Sequence, residues 1–338
     1  MSNPFPTRKI GGVDVSAIGF GAMVISGAYG ALGDDELPFK VLDAAYAKGC
    51  TNWDTADVYG NSELLIGEWF KRTGKRNEIF LATKFGVVGG EAGKRLVNGT
   101  PEYVHQAVEK SLGRLGVDCI DLYYLHRADP TVPIEHTVGA MAEWVKKGKV
   151  KFLGLSEVSA TTLRRAHAMH PIAAVQVEYS PFTLDIETNG LLETCLELGV
   201  AVIAYSPLGR GLLSGHFQSP DDLPAVDFRR MVPRYSAENF PKILGIGAAL
   251  EKVGAKYNNA SSSQVALAWL LAQHESVIPI PGTKSPKYIE ENLAAVGLTL
   301  SASDLQVIRD AVNEANVTGA RYPLAFENTM YIETPALA

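Results

Sequence analysis

Short apolar segments alternate with amphipathic helical segments along most of the chain, and this alternation restricts the fold more than any other feature. Asn52–Asp54 precedes a helical pattern over Ser62–Lys71, and Glu78–Lys84 precedes one over Pro101–Leu115. We count about eight such strand-plus-helix units. Because apolar strands separated by helices are typical of parallel sheets covered by helices, the pattern predicts an α/β fold.

The same alternation can form either an open doubly wound sheet or a closed barrel. Open dinucleotide-binding sheets usually carry G-x-G-x-x-G after the first strand, with an acidic residue about 20 positions later. In Gly19–Val24, GFGAMV, the third glycine of that motif is missing. With about eight regular units, we therefore predict a (β/α)8 TIM barrel.

Several segments lie outside the repeat. Thr7–Ile10 and Val13–Ser16 flank two glycines and predict a β-hairpin that plugs one end of the barrel. The C-terminal residues predict helical and tail extensions. The stretches Val87–Gly99 and Gly209–Phe240 are predicted to be loops long enough to act as lids or binding loops. No low-complexity linker divides the chain, so residues 1–338 are predicted to form one domain.

The composition restricts the kinds of molecule that the protein can be expected to bind. The net charge of −6 comes from interspersed charges, which disfavours nucleic acid and anionic membranes and favours a small-molecule substrate. No apolar run has the length of a signal peptide or membrane span, so we predict a cytoplasmic protein. The three cysteines lack the spacing of a metal site, and no metal is expected. The oligomeric state is left open.

Ionisable residues follow three successive predicted strands. Asp54, Lys84 and His126 each end an apolar segment, and Tyr59 follows Asp54 across a turn of small residues. In such a barrel, chemistry lies at the carboxyl ends of the strands, where the connecting loops converge. A phenol ionises near pH ~10, so Tyr59 needs a nearby cation to act at neutral pH. Lys84, held by Asp54, supplies that cation, and His126 can hydrogen-bond a substrate carbonyl.

Each residue alone also fits a structural role, such as an ion pair or a polar core position, but together they match a known pattern. The order Asp-Tyr-Lys-His, with N-x-D-T-A-x-x-Y-G over Asn52–Gly60, resembles the aldo-keto reductase superfamily. The resemblance continues through Gly154–Glu157, Gln176–Ser180, Ala204–Gly211 and Ile278–Thr283. It implies a nicotinamide dinucleotide bound across the barrel mouth.

Cofactor residues follow from this resemblance by position. Ser156 and Gln176 would hold the carboxamide, and Tyr205 would stack on the nicotinamide ring. The remaining positions implied for the nicotinamide, pyrophosphate and adenosine parts are Met23, Ser206, Leu208, Gly211, Gly282, Lys284, Tyr288, Glu291 and Asn292.

Some positions depart from the family pattern. Many relatives have Asn where Glu157 stands, so Glu157 either accepts from the carboxamide or faces elsewhere. His216 replaces a frequent Lys, and Tyr288 a frequent Arg or Gln. Lys284 still offers a cation for a 2′-phosphate, and the arginines of Phe228–Tyr235 either add charge there or belong to a solvated loop. We expect NADPH rather than NADH.

The resemblance implies reduction of an aldehyde or ketone to the alcohol, with Tyr59 as general acid and a member closest to the pyridoxal reductase-like branch. Apolar and aromatic pocket candidates favour an aromatic or alicyclic substrate, although core packing is the stronger expectation for Trp53. These candidates are Met23, Tyr29, Trp53, Phe85, Arg127 and the tail Arg321–Ala338.

Two other classes of function fit the same fold. A barrel aldolase or lyase would use Lys84 as a Schiff-base nucleophile, although Asp54 argues against this by keeping the ammonium charged. A non-catalytic, NADPH-binding regulatory subunit would keep the cofactor segments without turnover.

Overall fold

A computed structural model describes residues 5–27, 34–88, 96–225 and 227–337. In these residues, the main sheet has eight parallel strands, and two short antiparallel pairs accompany it. The first pair is the hairpin of β1 (Thr7–Ile10) and β2 (Val13–Ser16). The second pair joins β6 (Val87–Val88) to β7 (Leu96–Val97). The strands of the main sheet are β3 (Phe20–Gly21), β4 (Asn52–Asp54), β5 (Phe80–Phe85), β8 (Ile120–Leu125), β9 (Val150–Ser156), β10 (Ile172–Glu178), β11 (Ala201–Tyr205) and β12 (Val277–Pro279).

Hydrogen bonds join the first and last strands of the main sheet. The sheet order runs from β3 through β4, β5, β8, β9, β10 and β11 to β12. The Gly19 N–H donates to the Pro279 carbonyl at 2.9 Å, and the Gly21 N–H donates to the Pro281 carbonyl at 3.1 Å. The sheet therefore curls back on itself, and the predicted (β/α)8 barrel is confirmed.

Helices cover the outside of the barrel. Most of them lie between consecutive barrel strands, as the alternating pattern predicts. The helices α8 and α11 pack against each other and are additional to the repeat, and α11 agrees with the predicted C-terminal helical extension. The helices are α1 (Leu37–Ala47), α2 (Ser62–Thr73), α3 (Pro101–Leu115), α4 (Ile134–Lys146), α5 (Ala160–Met169), α6 (Asp185–Thr188), α7 (Leu191–Leu198), α8 (Phe240–Gly254), α9 (Ser262–Gln273), α10 (Pro286–Ala294), α11 (Ala302–Ala315) and α12 (Leu324–Glu327).

Two predicted pocket residues belong instead to the layer between the barrel and its helices. Trp53 is fully buried, and its ring centroid lies 4.7 Å from that of Trp69 on α2. Phe85 is also fully buried and stacks on Tyr123 at 5.0 Å. Because successive side chains of a strand point to opposite faces, these residues cannot face the mouth beside Asp54 and Lys84. The prediction of Phe85 as a pocket residue is wrong, whereas core packing, the stronger expectation for Trp53, is confirmed.

The N-terminal hairpin closes the lower end of the barrel, as predicted. Ile10 and Val15 are buried and pack in a cluster with interior residues of the barrel strands, including Leu122, Tyr124 and Ile278. This interior cluster is separate from the larger core between strands and helices. Among the described residues, no helix combines the length and apolar character needed to cross a membrane.

The long segment between β11 and α8 contains short 3-10 turns. They span Gly209–Ser214, Pro220–Asp222, Phe228–Met231 and Pro233–Tyr235. The other predicted loop contains the β6–β7 pair, and its residues 89–95 lie outside the described part of the chain. Neither segment forms a regular α-helix in its described residues, as expected for long connections at the mouth.

Barrel closure predicts the effect of a methyl group at Gly21. A Cβ at this position would lie 2.8 Å from the Ile280 carbonyl oxygen, so Gly21→Ala must displace backbone. We expect a loss of about 2 kcal/mol in urea unfolding, typical of overpacking. The control is Gly113→Ala in α3, where no atom lies within 4 Å and helix propensity predicts a gain of up to about 1 kcal/mol. Equal effects of the two substitutions would contradict the closure described above.

Candidate active site

The ionisable residues predicted from the strand ends lie together at the carboxyl end of the barrel. Asp54 is the last residue of β4, Lys84 lies near the end of β5, and His126 directly follows β8. The turn that carries Tyr59 is attached to the same edge, because the Asp57 N–H donates to the Lys84 carbonyl at 3.0 Å. Neighbouring parallel strands thus bring residues that are distant in sequence into one group.

A buried ion pair forms the base of this group. Lys84 is fully buried, and its Nζ donates to Asp54 Oδ1 and, at 2.6 Å, to the Thr55 carbonyl. Gln176 Nε2 donates to the other oxygen, Asp54 Oδ2, at 2.8 Å. Both charges are thus compensated by direct hydrogen bonds, which buried charges require.

Burial and pairing have opposite effects on the pKa of each residue of the ion pair. Burial lowers the pKa of the Lys84 ammonium, and Asp54 opposes this shift through its charge and hydrogen bond. Burial likewise raises the pKa of Asp54, while Lys84 and Gln176 oppose it. The charged forms therefore depend on each other, because removing either partner leaves the other buried and uncompensated.

Tyr59 and His126 lie directly above the ion pair. Lys84 Nζ lies 5.1 Å from the centroid of the Tyr59 ring. The Tyr59 and His126 rings meet edge to face, with centroids 5.6 Å apart and an interplanar angle of 86°. Tyr59 is only half-buried, whereas His126 is 7% exposed. The arrangement can hold a polar group of a ligand between a phenol and an imidazole, next to a fixed positive charge.

Sequence reasoning missed the residues that hold the Tyr59 turn. Arg114 on α3 donates to the Asp57 carbonyl at 3.2 Å and to the Gly60 carbonyl, which flank Tyr59. Its Nε lies 3.4 Å from Oε2 of Glu63, which is fully buried. Glu63 also accepts from the Thr83 hydroxyl at 2.7 Å, next to Lys84 in β5. No local pattern could identify this link, because Glu63 and Arg114 come from different helices.

At the nicotinamide end of the predicted cofactor site, the polar residues form a connected network. Arg127 is buried and donates to Ser156 Oγ at 3.1 Å. Tyr205 is half-buried at the end of β11, and its hydroxyl donates to Glu157 Oε1 at 2.8 Å. Glu157 forms an ion pair with Arg321 at 2.8 Å. Both Glu157 oxygens thus accept hydrogen bonds from side chains of this protein.

Consecutive turns follow β11. The Gly209 N–H donates to the Ser206 carbonyl at 2.9 Å, and the Gly211 N–H donates to the Leu208 carbonyl at 3.0 Å. Ser206 and Gly211 both have positive φ angles, of 49° and 91°. The two predicted pyrophosphate residues, Ser206 and Leu208, thus share one tightly turned loop at the mouth with Gly211, another predicted cofactor residue.

At the predicted adenosine end, Lys284 is half-buried just before α10, and Tyr288 lies in the first turn of that helix. The Tyr288 ring lies 5.3 Å from the His216 ring, so these two departures from the family pattern contact each other. Ser285 makes no side-chain hydrogen bond that caps α10. The first N–H groups of the helix therefore lack a side-chain cap, a geometry suited to an anion.

Three further predicted cofactor residues have roles in the protein itself. Glu291 accepts from the hydroxyl of Ser261, the N-cap of α9, at 2.6 Å. A Cβ on Gly282 would lie 2.6 Å from the Gly21 carbonyl oxygen, so barrel closure alone requires glycine there. Asn292 is 5% exposed within α10. Packing thus accounts for the residue type at Gly282 without a ligand.

The arginines of Phe228–Tyr235 are used within the protein. Arg229 pairs with Asp227 at 2.7 Å and donates to the Arg210 carbonyl, and Arg230 donates to the Pro224 carbonyl at 3.0 Å. Arg234 contacts the Gly319 carbonyl at 3.0 Å. These guanidinium groups thus hold the segment after β11 in place and join it to Gly319. That the run also adds charge for a phosphate stays a prediction.

Of the remaining pocket candidates, some lie at the mouth of the barrel and others lie outside the described residues. Met23 is half-buried in the 3-10 turn that follows β3, and Arg127 directly follows His126. In the C-terminal tail, the Tyr322 hydroxyl lies 3.2 Å from the Tyr205 hydroxyl. Tyr29 and Ala338 lie outside the described residues.

Comparisons with known proteins agree with this fold and identify the family. The model of the aldo/keto reductase family matches residues 17–313. Aldo-keto reductase str7 of Strobilurus tenacellus is 57% identical over 99% of both chains, and aldo-keto reductase yakc [NADP(+)] of Schizosaccharomyces pombe is 49% identical over 98% of both. The glycerol dehydrogenase AKR11B4 of Gluconobacter oxydans superposes with a TM-score of 0.84, at 28% identity over 92% of this chain and 96% of that one. The chain belongs to the aldo-keto reductase family.

Asp57 lies in the turn that carries Tyr59, and its raised pKa predicts that the stability of the protein depends on pH. Burial, with a smaller contribution from Glu63, raises the pKa of Asp57 from 3.8 to about 7. The folded state therefore binds the proton more tightly, and this group makes unfolding easier as the pH rises from about 4 to about 7.

Asp57→Asn removes this titration while keeping the shape of the side chain. The pKa of Asp57 rises from 3.8 to about 7, and the group is partly exposed, which reduces its effect on stability. We therefore expect the free energy of unfolding of the variant to gain about 2 kcal/mol relative to the native protein between pH 4 and pH 8. Urea unfolding at both pH values measures the difference. A stability difference that is the same at both values would contradict the assignment.

Proposed function

We propose that the protein is an NADPH-dependent oxidoreductase that reduces an aldehyde or ketone to the alcohol. One observation carries the proposal: the buried Lys84–Asp54 pair lies directly beneath Tyr59, with His126 at the edge of the phenol ring. A fixed positive charge next to a phenol stabilises the phenolate that remains after proton transfer. Because Tyr59 is half-exposed at the mouth, this arrangement is better explained by a general acid than by a structural contact.

The protein residues have distinct tasks in this reaction. Tyr59 and His126 hydrogen-bond the carbonyl oxygen, and Tyr59 donates the proton to it. Lys84 stabilises the resulting phenolate, while Asp54 holds Lys84 in place and keeps it charged. NADPH supplies the hydride when it is bound. Arg114 keeps the Tyr59 turn against the end of β5, so the acid and the cation stay together.

The residues at the mouth fit a nicotinamide dinucleotide. The uncapped first turn of α10 and the half-buried Lys284 offer N–H donors and a positive charge to a 2′-phosphate. Ser156 and Gln176 offer polar groups to the carboxamide, and Tyr205 offers an aromatic face to the ring. The relative yakc carries NADP(+) in its name, which supports NADPH over NADH. Met23, Ser206, Leu208, Gly211, Gly282, Tyr288, Glu291 and Asn292 complete the proposed site.

The substrate class that we propose is an aromatic or alicyclic carbonyl compound, with pyridoxal as one candidate. Aromatic side chains lie near Arg127, the residue after His126: the Tyr322 ring centroid is 6.0 Å from the Arg127 guanidinium carbon and 6.1 Å from the Phe228 ring centroid. Planar substrates can stack on such rings. Arg127 adds a buried cation next to His126, suited to an oxygen substituent on the substrate.

The observed geometry favours reduction over the two alternative classes. Lys84 is fully buried and donates to Asp54 and Thr55, so its amine does not present a nucleophile for a Schiff base. A non-catalytic cofactor-binding subunit has no need for a buried ion pair beneath a half-exposed tyrosine. We therefore propose turnover of a small-molecule substrate, a function in which Asp54, Tyr59, Lys84 and His126 each have a task.

Tyr59→Phe tests the proton donor. The variant keeps the ring but loses the hydroxyl, so we expect NADPH-dependent reduction of aromatic aldehydes to fall by at least about 100-fold. Binding of NADPH, followed by its fluorescence, should change by less than about twofold. Tyr46→Phe, at a half-buried tyrosine of α1 whose hydroxyl donates to Glu78, is the matched control and should retain turnover. Unchanged turnover in Tyr59→Phe would remove this residue from the mechanism.

Lys284→Met tests the cofactor preference. Loss of a charge-assisted contact of about 1.5 kcal/mol should raise the Kd for NADP+ by roughly tenfold and leave the Kd for NAD+ unchanged. The control is Lys9→Met, which removes the same charge from the hairpin at the far end of the barrel. Calorimetric titration of both cofactors measures the ratio. An equal change for the two cofactors would rule out a 2′-phosphate contact by Lys284.

A further inference from the structure

Four buried charges lie beneath Tyr205. Glu157 and Glu178 come from the ends of β9 and β10, Arg210 comes from the turn after β11, and Arg321 comes from the C-terminal segment, residues 321–337. Their side chains are 0%, 0%, 3% and 5% exposed, respectively. Two carboxylates thus face two guanidinium groups in a region with almost no water access, where each charge needs its partners.

Glu157 connects the C-terminal segment to Tyr205. Arg321 binds Glu157 with both of its terminal nitrogens, at 3.1 Å and 2.8 Å. The Tyr205 hydroxyl donates to Glu157 Oε1 at 2.8 Å, and the Glu178 N–H donates to the same oxygen at 3.1 Å. Burial opposes ionisation, but Arg321 holds the pKa of Glu157 below its usual range. Glu157 is therefore a charged acceptor for the Tyr205 hydroxyl.

The backbone at Glu157 supports a specific role for this carboxylate. Its φ angle is 52°, in the left-handed region that a glutamate rarely adopts. Such strain persists only where surrounding contacts fix the residue. Here the contacts are the bidentate guanidinium of Arg321 and the hydroxyl of Tyr205.

The C-terminal segment is anchored along the end of β9 and the start of α5. The Ile332 N–H donates to the Glu157 carbonyl at 3.1 Å, and the Ser159 N–H donates to the Ile332 carbonyl at 3.1 Å. Arg165 on α5 donates to the Thr334 carbonyl at 2.8 Å. These contacts hold the segment that contains Arg321 across the top of the barrel.

We propose that Arg321 is a positioning residue for the nicotinamide end of the cofactor site: through Glu157 it fixes the Tyr205 ring in the orientation that the nicotinamide stacks on. The inference rests on the proposed function, which places the nicotinamide against Tyr205. The C-terminal segment thereby takes part in cofactor binding without touching the cofactor. A freely rotating Tyr205 would have to be ordered by the ligand itself, which weakens binding.

The chain contains a second triad of the same type that provides a matched control. On the side of the barrel, Tyr179 donates to Glu187 at 2.6 Å, and Arg309 binds both Glu187 oxygens at 2.8 Å and 3.0 Å. Tyr179 lies outside the proposed cofactor site and packs against Trp269, with ring centroids 5.8 Å apart. This triad reaches Tyr205 only through the backbone, since the Tyr179 N–H donates to the Tyr205 carbonyl at 3.4 Å. Loss of Arg309, which bonds Glu187 and Gln273, therefore perturbs stability by a similar kind of contact and leaves the Tyr205 hydroxyl bonded to Glu157.

The experiment compares two ligands that differ in the nicotinamide. NADP+ reaches Tyr205 in the proposed site, whereas adenosine 2′,5′-bisphosphate contains only the adenosine end. In Arg321→Met, we expect the Kd for NADP+ to rise about tenfold and the Kd for adenosine 2′,5′-bisphosphate to stay within about twofold of the native value. Arg309→Met should lower the thermal midpoint and change neither Kd.

Tyr205→Phe is the second variant, because Arg321→Met leaves the Glu157 charge without its main partner and can prevent folding. It keeps the ring, removes the bond to Glu157 and creates no buried unpaired charge on the tyrosine. We expect the same selective loss of NADP+ affinity. If Arg321 acts through Tyr205, the double variant should bind NADP+ no more weakly than the weaker single variant.

The outcomes separate this inference from the function on which it rests. A native protein that binds no NADP+ would refute the proposed function. Native binding of NADP+ with an unchanged Kd in Tyr205→Phe would refute only the positioning role. An equal rise in the Kd of both ligands in Arg321→Met would also refute it, because a general disturbance of the site affects the two ligands alike.

Discussion

The ion pair between Lys84 and Asp54 is the interaction on which the rest of the mouth depends. Its partners come from adjacent barrel strands, and both are almost fully removed from water. A charge in such a place is tolerated only with close compensation, which Thr55 and Gln176 complete. The pair therefore fixes a positive charge beneath Tyr59 at a position set by the barrel itself, rather than by a mobile loop.

Two further buried carboxylates organise the surroundings of this pair. Glu63 contacts Arg114, which holds the turn of Tyr59, and Glu157 contacts Arg321, which belongs to the C-terminal segment. In both cases, a charge inside the protein fixes an irregular segment against the end of a regular strand. Because breaking one partner leaves the other charge buried, these links resist displacement more than neutral contacts would. The mouth combines irregular segments with fixed geometry for this reason.

Sequence reasoning predicted the barrel, its hairpin plug and the group of Asp54, Tyr59, Lys84 and His126, because each depends on order along the chain and on the strand ends. The prediction of Phe85 as a pocket residue was wrong. Phe85 is next to Lys84 in sequence but lies on the opposite face of β5, where it stacks on Tyr123. For the arginines of Phe228–Tyr235, the sequence left open whether they add charge at a phosphate or belong to a solvated loop. In the structure, Arg229 and Arg230 donate to backbone carbonyls of the same segment.

The sequence by itself determined the alternation of strands and helices, the residues at the strand ends and the family that they indicate, since all of these are local patterns read in chain order. Only the tertiary structure decided which distant charges meet. Glu157 and Arg321 are far apart in sequence, as are Glu63 and Arg114, and nothing in their local surroundings selects one partner over another. Their pairing follows from the closing of the barrel and the path of the C-terminal segment, which bring each charge to the place where leaving it unpaired would cost most.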